Sequence, residues 1–332
     1  MIKKECFTAE WIEQVSSELH YNDKNLIEKV IRALSLLEML VKAGCPLVFK
    51  GGTALMLILG KSAHRLSIDI DLICPPGTNI EDYLKSFADF GFINLELVER
   101  KQRDDADIPK SHSKFFYQIA YRNDTDAQSY ILLDVLYEDI HYFRTQQIAI
   151  NCPFIRLEGK PLMVTVPSAE DILGDKLTAF APNTTGIPYY RNGRSCSMEI
   201  AKQLYDVGRL FENVSDLQIT KEAFRKIAVV ELSYRSFGTD IGQVFNDIRQ
   251  TALCISTRGK AGEGDFDLIQ DGIIRVKSFM YKQRYLIDHA IIDAARAAYL
   301  ATLIEKGINE IESYSNNPAD IKDMVIRPSL PN

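Results

Sequence analysis

Asp69 and Asp71 stand two residues apart in the stretch Lys50–Leu72, KGGTALMLILGKSAHRLSIDIDL. In a strand, side chains alternate between faces, so both carboxylates project to one side and Ile68, Ile70 and Leu72 to the other. Two adjacent carboxylates repel unless a proton or cation lies between them. Upstream, Gly51-Gly52-Thr53 reads as a turn from a short strand into a brief helix. Such a turn points backbone N–H groups and the Thr53 hydroxyl at phosphate oxygens. Together the two features predict a site that holds a metal–triphosphate complex and transfers a nucleotide.

A third carboxylate is expected on a neighbouring strand, because a two-ion site needs more ligands than one pair. Asp134 is the candidate: it is the single charge in ILLDVLY, and burying it would be costly without a cation. It would serve as third ligand or as base. Arg65 and Ser67 precede the pair. Ser67 shares the strand parity of Asp69, and Arg65 could either meet an anionic substrate or pair with a surface acid. Gly60-Lys61-Ser62 ends like a Walker A motif, but Leu55 occupies the position that motif reserves for glycine. GGTALM is not GxGxxG, so a dinucleotide fold gains little support.

Further along, DILGDKLTAF puts Asp175 and Lys176 on an apolar helix, with Lys176 a phosphate-binding candidate. EIAKQLYDVGRL places Lys202 and Asp206 at i,i+4, where a simple helix ion pair would also explain them. Between these helices lies a loop at 182–197. It carries Tyr189, Tyr190, Arg191 and Arg194, a mixture of aromatics and cations of the kind that contacts nucleotides or nucleic acid.

The elements that must position these residues divide the chain in two. Residues 8–19 and 23–43 read as helices, the second with Leu26, Ile27, Val30, Ile31, Leu34, Leu37 and Val41 on one stripe. Strands are expected at 46–50, 67–74, 92–99, 114–122 and 129–137, with a helix at 79–90 and a loop at 101–112. Asn123-Asp124-Thr125-Asp126 is a turn signal between two of these strands. Apolar runs at 147–157 and 161–166 follow. Beyond Pro167 the periodicity turns helical, over 168–181, 197–212, 219–231, 239–254, 265–283 and 286–306. The expected fold is therefore α+β, with a mixed α/β domain at 1–167 and an all-helical domain at 168–332 that ends in a loose tail.

Composition narrows the chemistry. The chain has 332 residues, 46% of them hydrophobic and 25% charged, with a net charge of −6. That balance argues against a protein that coats nucleic acid, though not against a local basic groove. The six cysteines are scattered and form no CxxC pair, which points to reduced thiols in a cytoplasmic protein rather than to zinc. Any metal would be held by carboxylates, as Mg²⁺ or Mn²⁺. Neither a secretory leader nor a membrane-length apolar run is expected.

FKGGTAL, R-x-S-x-D-I-D-L, the D/E-K-L-x-A helix and the helix ending K-x-x-Y-D-V resemble, in order, the AbiEii/AbiGii (MenT-like) nucleotidyltransferase toxins. These belong to the DNA polymerase β-type nucleotidyltransferase superfamily. The resemblance implies an N-terminal nucleotidyltransferase core with a polymerase β-like mixed sheet, followed by a helical lobe. It maps the family's motif residues onto Gly52, Thr53, Asp69, Asp71, Lys176 and Asp206. It also implies an NTP substrate, Mg²⁺, a tRNA 3′ end as acceptor and a DNA-binding, winged-helix antitoxin as partner. Ala201-Lys202-Gln203 stands where the family more often has Lys-Asp. The same G-[ST]…D-x-D logic occurs in aminoglycoside-type small-molecule nucleotidyltransferases. A non-catalytic nucleotide-binding module is the third reading.

Overall fold

In the computed structural model, residues 1–97, 110–121, 127–214, 216–234 and 240–311 are described. Two helices open the chain, α1 (Ala9–Leu19) and α2 (Lys24–Lys42), each started by a side-chain cap. The Thr8 hydroxyl accepts from the Trp11 amide, and the Asp23 carboxylate from that of Leu26. The chain continues through β1 (Val48–Lys50), α3 (Gly51–Leu59), β2 (Ile70–Cys74), β3 (Asn94–Leu97), β4 (Lys110–Gln118), β5 (Gln128–Tyr137), β6 (Thr145–Ala149) and β7 (Met163–Pro167). The main sheet has the order β1-β2-β5-β4-β3. Its one parallel pair, β2 with β5, sets Asp71 directly opposite Asp134. The antiparallel β1–β2 pair sets Lys50 opposite Asp71. Register alone thus gathers three charged residues at one sheet edge.

Ile70, Leu72, Ile131, Leu133 and Val135 alternate with those charges and are buried. They join the stripe of α2 in one apolar core, which collects buried residues from Ile2 to Val166 together with Tyr281. The remaining helices, α4 (Ala169–Ala179), α5 (Ser197–Phe211), α6 (Leu217–Ser233), α7 (Ile241–Ser256), α8 (Phe266–Val276) and α9 (Ile287–Lys306), build a second core. That core collects residues from Ile172 to Ile304 and also takes Leu55 from α3. The two cores therefore interlock, since each lobe lends the other a side chain. The whole is a mixed α+β protein.

Several elements differ from the sequence expectation. The segment 79–90 forms two 3₁₀ turns, Ile80–Tyr83 and Phe87–Phe90, rather than one helix. A segment this short gains little from helix propensity, and burial of Ile80, Leu84, Phe90 and Phe92 decides its path. The strand expected from 67 begins at Ile70 because the Leu66 amide donates to the Phe279 carbonyl in the second lobe. The α-helix expected over 265–283 stops at Val276, tightens into a 3₁₀ turn at Lys277–Phe279, and becomes extended only at Met280, which bridges to Arg65. Lys110–His112, expected in a loop, are strand residues of β4. The loop at 182–197 contains a small hairpin, β8 (Tyr190–Arg191) with β9 (Arg194–Ser195). Its turn residues Asn192 and Gly193 both have positive φ, 52° and 73°, the Asn-Gly signature of a tight hairpin. The expected turn at 123–126 and the C-terminal tail fall outside the described residues.

α2 buries charge as well as its apolar stripe. Glu28 accepts from the Ala120 amide at 3.1 and 3.2 Å and pairs with Arg32 at 3.4 Å. The Arg32 guanidinium lies against the rings of Phe7 and Tyr117, 4.7 and 4.9 Å from their centroids. Removing one member of a buried pair strands the other. Arg32→Ala should therefore destabilise the protein by about 3–5 kcal/mol, read by urea or thermal unfolding. A loss below about 1 kcal/mol, the value of an exposed pair, would show that the pair holds nothing together.

Candidate active site

The site is assembled where β1, α3, the segment before β2, and β5 meet α4 and α5. Gly51 and Gly52 form the first turn of α3, whose leading amides have no intrahelical partner. Both positions require the absence of a side chain. A Cβ at Gly51, where φ is +79°, would lie 2.0 Å from Asp71 Oδ2. One at Gly52 would lie 2.6 Å from Ser67 Oγ and 3.0 Å from the Arg65 guanidinium. The glycines thus let the helix start touch the acidic edge, and Ser67, although it lies before β2, stands beside this cradle. Thr53 has a different role from the one expected: it is fully buried and its hydroxyl donates to the Asp69 carbonyl at 2.7 Å. It fixes the Asp69 backbone rather than facing a phosphate.

The three carboxylates are brought to one face. Burial, opposed by Lys202 and reinforced by Asp134, raises the pKa of Asp69. Burial and the charges of Asp69 and Asp134 push Asp71 up to about 7. One oxygen of Asp134 is held 2.5 Å from His112 Nδ1, across β4–β5. No group of three or more His, Cys, Asp or Glu residues forms a ready-made metal cage among the described residues. A hard cation that takes one or two carboxylates and completes its shell with water and phosphate oxygens does not require such a cage. The all-oxygen donor set and its mutual repulsion fit such an ion, so Asp69, Asp71 and Asp134 could hold Mg²⁺ or Mn²⁺.

The second lobe supplies Lys176, Lys202 and Asp206. Arg65, expected either at the substrate or on a surface acid, is instead buried in a fork with Asp206. Its Nε and terminal nitrogen meet Oδ1 at 3.0 and 2.8 Å, and the same terminal nitrogen meets Oδ2 at 2.7 Å. The two side chains are only 5% and 2% exposed, so the fork fixes Asp206 in place. Lys176 shares Asp206 at 3.2 Å and donates to Gln203 at 3.0 Å. Its neighbour Asp175, about 100° around α4, instead accepts from the Tyr142 hydroxyl at 2.9 Å. The i,i+4 pair of Lys202 with Asp206 is not formed. Lys202 lies over the Phe279 ring, 3.8 Å from its centroid. Burial, then the nearby Arg65 charge, lowers its pKa to about 8. Tyr189 leaves the site too, with its hydroxyl beside Gly264. Tyr190, Arg191 and Arg194 are carried by the exposed part of the hairpin.

Three residues of the site do not stand out in the sequence. Lys50 is opposed by burial but held protonated by Asp175, Asp71, Glu138 and Glu231. Its signal is its place directly before Gly51 and, through β1, opposite Asp71. His112 falls within the expected loop. Lys29, on α2, lies close enough to feel the Asp69 charge, yet helix periodicity marks it only as a polar-face residue.

The model of the family described as "Nucleotidyl transferase AbiEii toxin, Type IV TA system" matches residues 34–300. The chain belongs to this family of nucleotidyltransferase toxins, whose toxin–antitoxin organisation implies an antitoxin partner. Among solved structures it is similar to MenT4, a nucleotidyltransferase toxin from Mycobacterium tuberculosis H37Rv, at 14% identity and a TM-score of 0.52 over 89% of each chain. JHP933 from Helicobacter pylori matches at 16% identity and a TM-score of 0.41, over 93% of this chain and 95% of that one. At such identities MenT4 speaks for the fold alone. No curated protein sequence matches the chain. No helix among the described residues is long and apolar enough to cross a membrane.

Asp71 offers a direct test of the crowded edge. Its pKa is raised from 3.8 to about 7, so the folded state holds more protons than the unfolded one between those values. Stability from this group is therefore lost as pH rises through the interval. Asp71→Asn should abolish nucleotide transfer, by roughly 10³-fold or more. The same variant should unfold at a higher temperature than wild type above pH 7 without divalent ions, the gap closing as pH falls towards 4. A variant less stable than wild type at pH 8 would contradict the repulsion.

Proposed function

We propose that this protein is a cytoplasmic Mg²⁺-dependent enzyme that transfers a nucleotide from an NTP to the 3′ end of an RNA, with tRNA the acceptor class implied by the family resemblance. The observation that carries the reading is the juxtaposition of the glycine cradle with the Asp69–Asp71–Asp134 edge, faced across the lobes by Lys176. A divalent ion held by Asp69 and Asp71 would supply charge neutralisation on the triphosphate. In this reading the first-turn amides at Gly51 and Gly52, with Ser67, cradle its β- and γ-phosphates. Lys176, aimed by Asp206 and Gln203, meets the charge that develops there. Asp134, with one oxygen fixed by His112, accepts the proton of the acceptor hydroxyl as that oxygen bonds to the α-phosphorus. The α–β bridging bond breaks and pyrophosphate leaves. Work of this kind is mostly positioning and electrostatics. A winged-helix, DNA-binding protein is the proposed antitoxin.

Incubation with each labelled NTP, Mg²⁺ and total tRNA tests the reading. Label should enter RNA with at least one NTP, and Lys176→Ala should slow this by roughly 10²-fold or more while the protein stays folded. Failure of every NTP to label RNA, with label entering an aminoglycoside instead, would overturn the RNA acceptor.

A further inference from the structure

A groove of about 790 Å³ opens between the lobes, lined by Tyr21, Asn22, Asp23, Met198, Ile274, Arg275, Lys277 and Ser278. Its walls are fixed to each other, because the Tyr21 hydroxyl donates to the Ser278 carbonyl. Two routes connect it to the acidic edge. Ser278 adjoins Phe279, whose ring lies under Lys202, and Met198 precedes Lys202 by one turn on the same face of α5. Lys202 and Asp69 sense each other's charge. On the other wall, Lys29 senses both Asp69 and Asp23. The Phe279 carbonyl also accepts from the Leu66 amide, so this wall of the groove runs to the segment that carries Asp69 into β2; neither Lys29 nor Lys202 is within ion-pair distance of a carboxylate among the described residues.

We infer that this groove carries the 3′-terminal nucleotides of a single-stranded RNA acceptor to Asp69, with Lys29 and Lys202 at its inner end and Arg275 and Lys277 at its mouth. The inference rests on the RNA-acceptor reading given above and adds where that acceptor binds. In a chain of net charge −6, cations prevail here. Lys277 is exposed, and Arg275 has only a loose helix pair with Asp271 at 3.7 Å. The acid on the wall, Asp23, is engaged in capping α2. Two further acids lie near the groove, Asp271 beside Arg275 and Glu199, which contributes to the field at Lys202. Ile274, 62% exposed, and the half-buried Met198 give flat apolar contact for bases. A polycationic aminoglycoside would meet like charge along the same path.

The test uses the full chain with Arg275→Glu and Lys277→Glu combined. Both side chains are exposed, so the fold should be retained. A fluorescein-labelled single-stranded RNA of ten nucleotides is titrated at several salt concentrations, and binding of a labelled NTP is measured alongside. The charge reversal should weaken RNA binding roughly 10-fold or more near 0.1 M salt. It should flatten the salt dependence by about 1.4 logarithmic units per decade, about 0.7 for each phosphate that is no longer neutralised, and leave NTP affinity unchanged. Unchanged RNA affinity and slope in the variant would overturn the groove assignment alone. Absence of RNA binding by the wild type, with NTP bound normally, would overturn the RNA-acceptor reading and the groove with it.

Discussion

The buried fork between Arg65 and Asp206 is the contact on which the site depends. Arg65 belongs to the segment leading into β2, and Asp206 to α5 in the helical lobe. Two charges this deep are not retained for stability, because desolvation offsets most of their attraction. What the pair provides is a fixed geometry. It holds Asp206 where Lys176 can share it at 3.2 Å. It also brings the guanidinium so close to the start of α3 that position 52 has room only for glycine. The backbone follows the same join, with Leu66 donating to Phe279 and Arg65 bridging Met280. Cradle, acidic edge and lysine are thereby set in one frame across the two lobes.

Within that frame the charges are in deliberate conflict. The β2–β5 register forces Asp71 against Asp134, and the residue just before β2 adds Asp69. The protein does not relieve this by pairing each acid. It surrounds them with ammonium groups at a distance, Lys29, Lys50 and Lys202, and ties only one Asp134 oxygen to a neighbouring ring, His112, among the described residues. Such an arrangement is unfavourable for the empty protein and favourable for a polyanion bound with a cation, which is the usual relation between stability and function at a site. Lys50 extends the conflict to the far side of the sheet edge, where Asp175, Glu138 and Glu231 hold it protonated.

The parts of this that are local were legible in the sequence. Gly51-Gly52, the Asp69–Asp71 spacing and the lone charge of ILLDVLY are short-range patterns, and strand parity is enough to aim them. The long helices were legible for the same reason, since periodicity and a cap such as Asp23 act within one turn. The partner of Arg65 was not, because no local pattern says which distant carboxylate will lie opposite it. Helix spacing points Lys202 at Asp206, but Arg65, from outside that helix, takes the aspartate away. The segment 79–90 has helical periodicity, yet its apolar residues are drawn into the first core, where the second 3₁₀ turn lies against α2. The hairpin at Asn192-Gly193 does carry a local signal, but strands of two residues are too short for alternation to reveal.

A double-mutant cycle on unfolding free energy, with Arg65→Met, Asp206→Asn and the combination, tests the join between the lobes most directly. If the fork holds the two lobes in one frame, each single variant strands a buried charge or its partner. The cycle should then return a coupling of about 1.5 kcal/mol or more, with the double variant destabilised much less than the sum of the singles. Additive losses, with coupling within about 0.3–0.5 kcal/mol of zero, would mean that Arg65 and Asp206 act independently and that the site is not built on their contact.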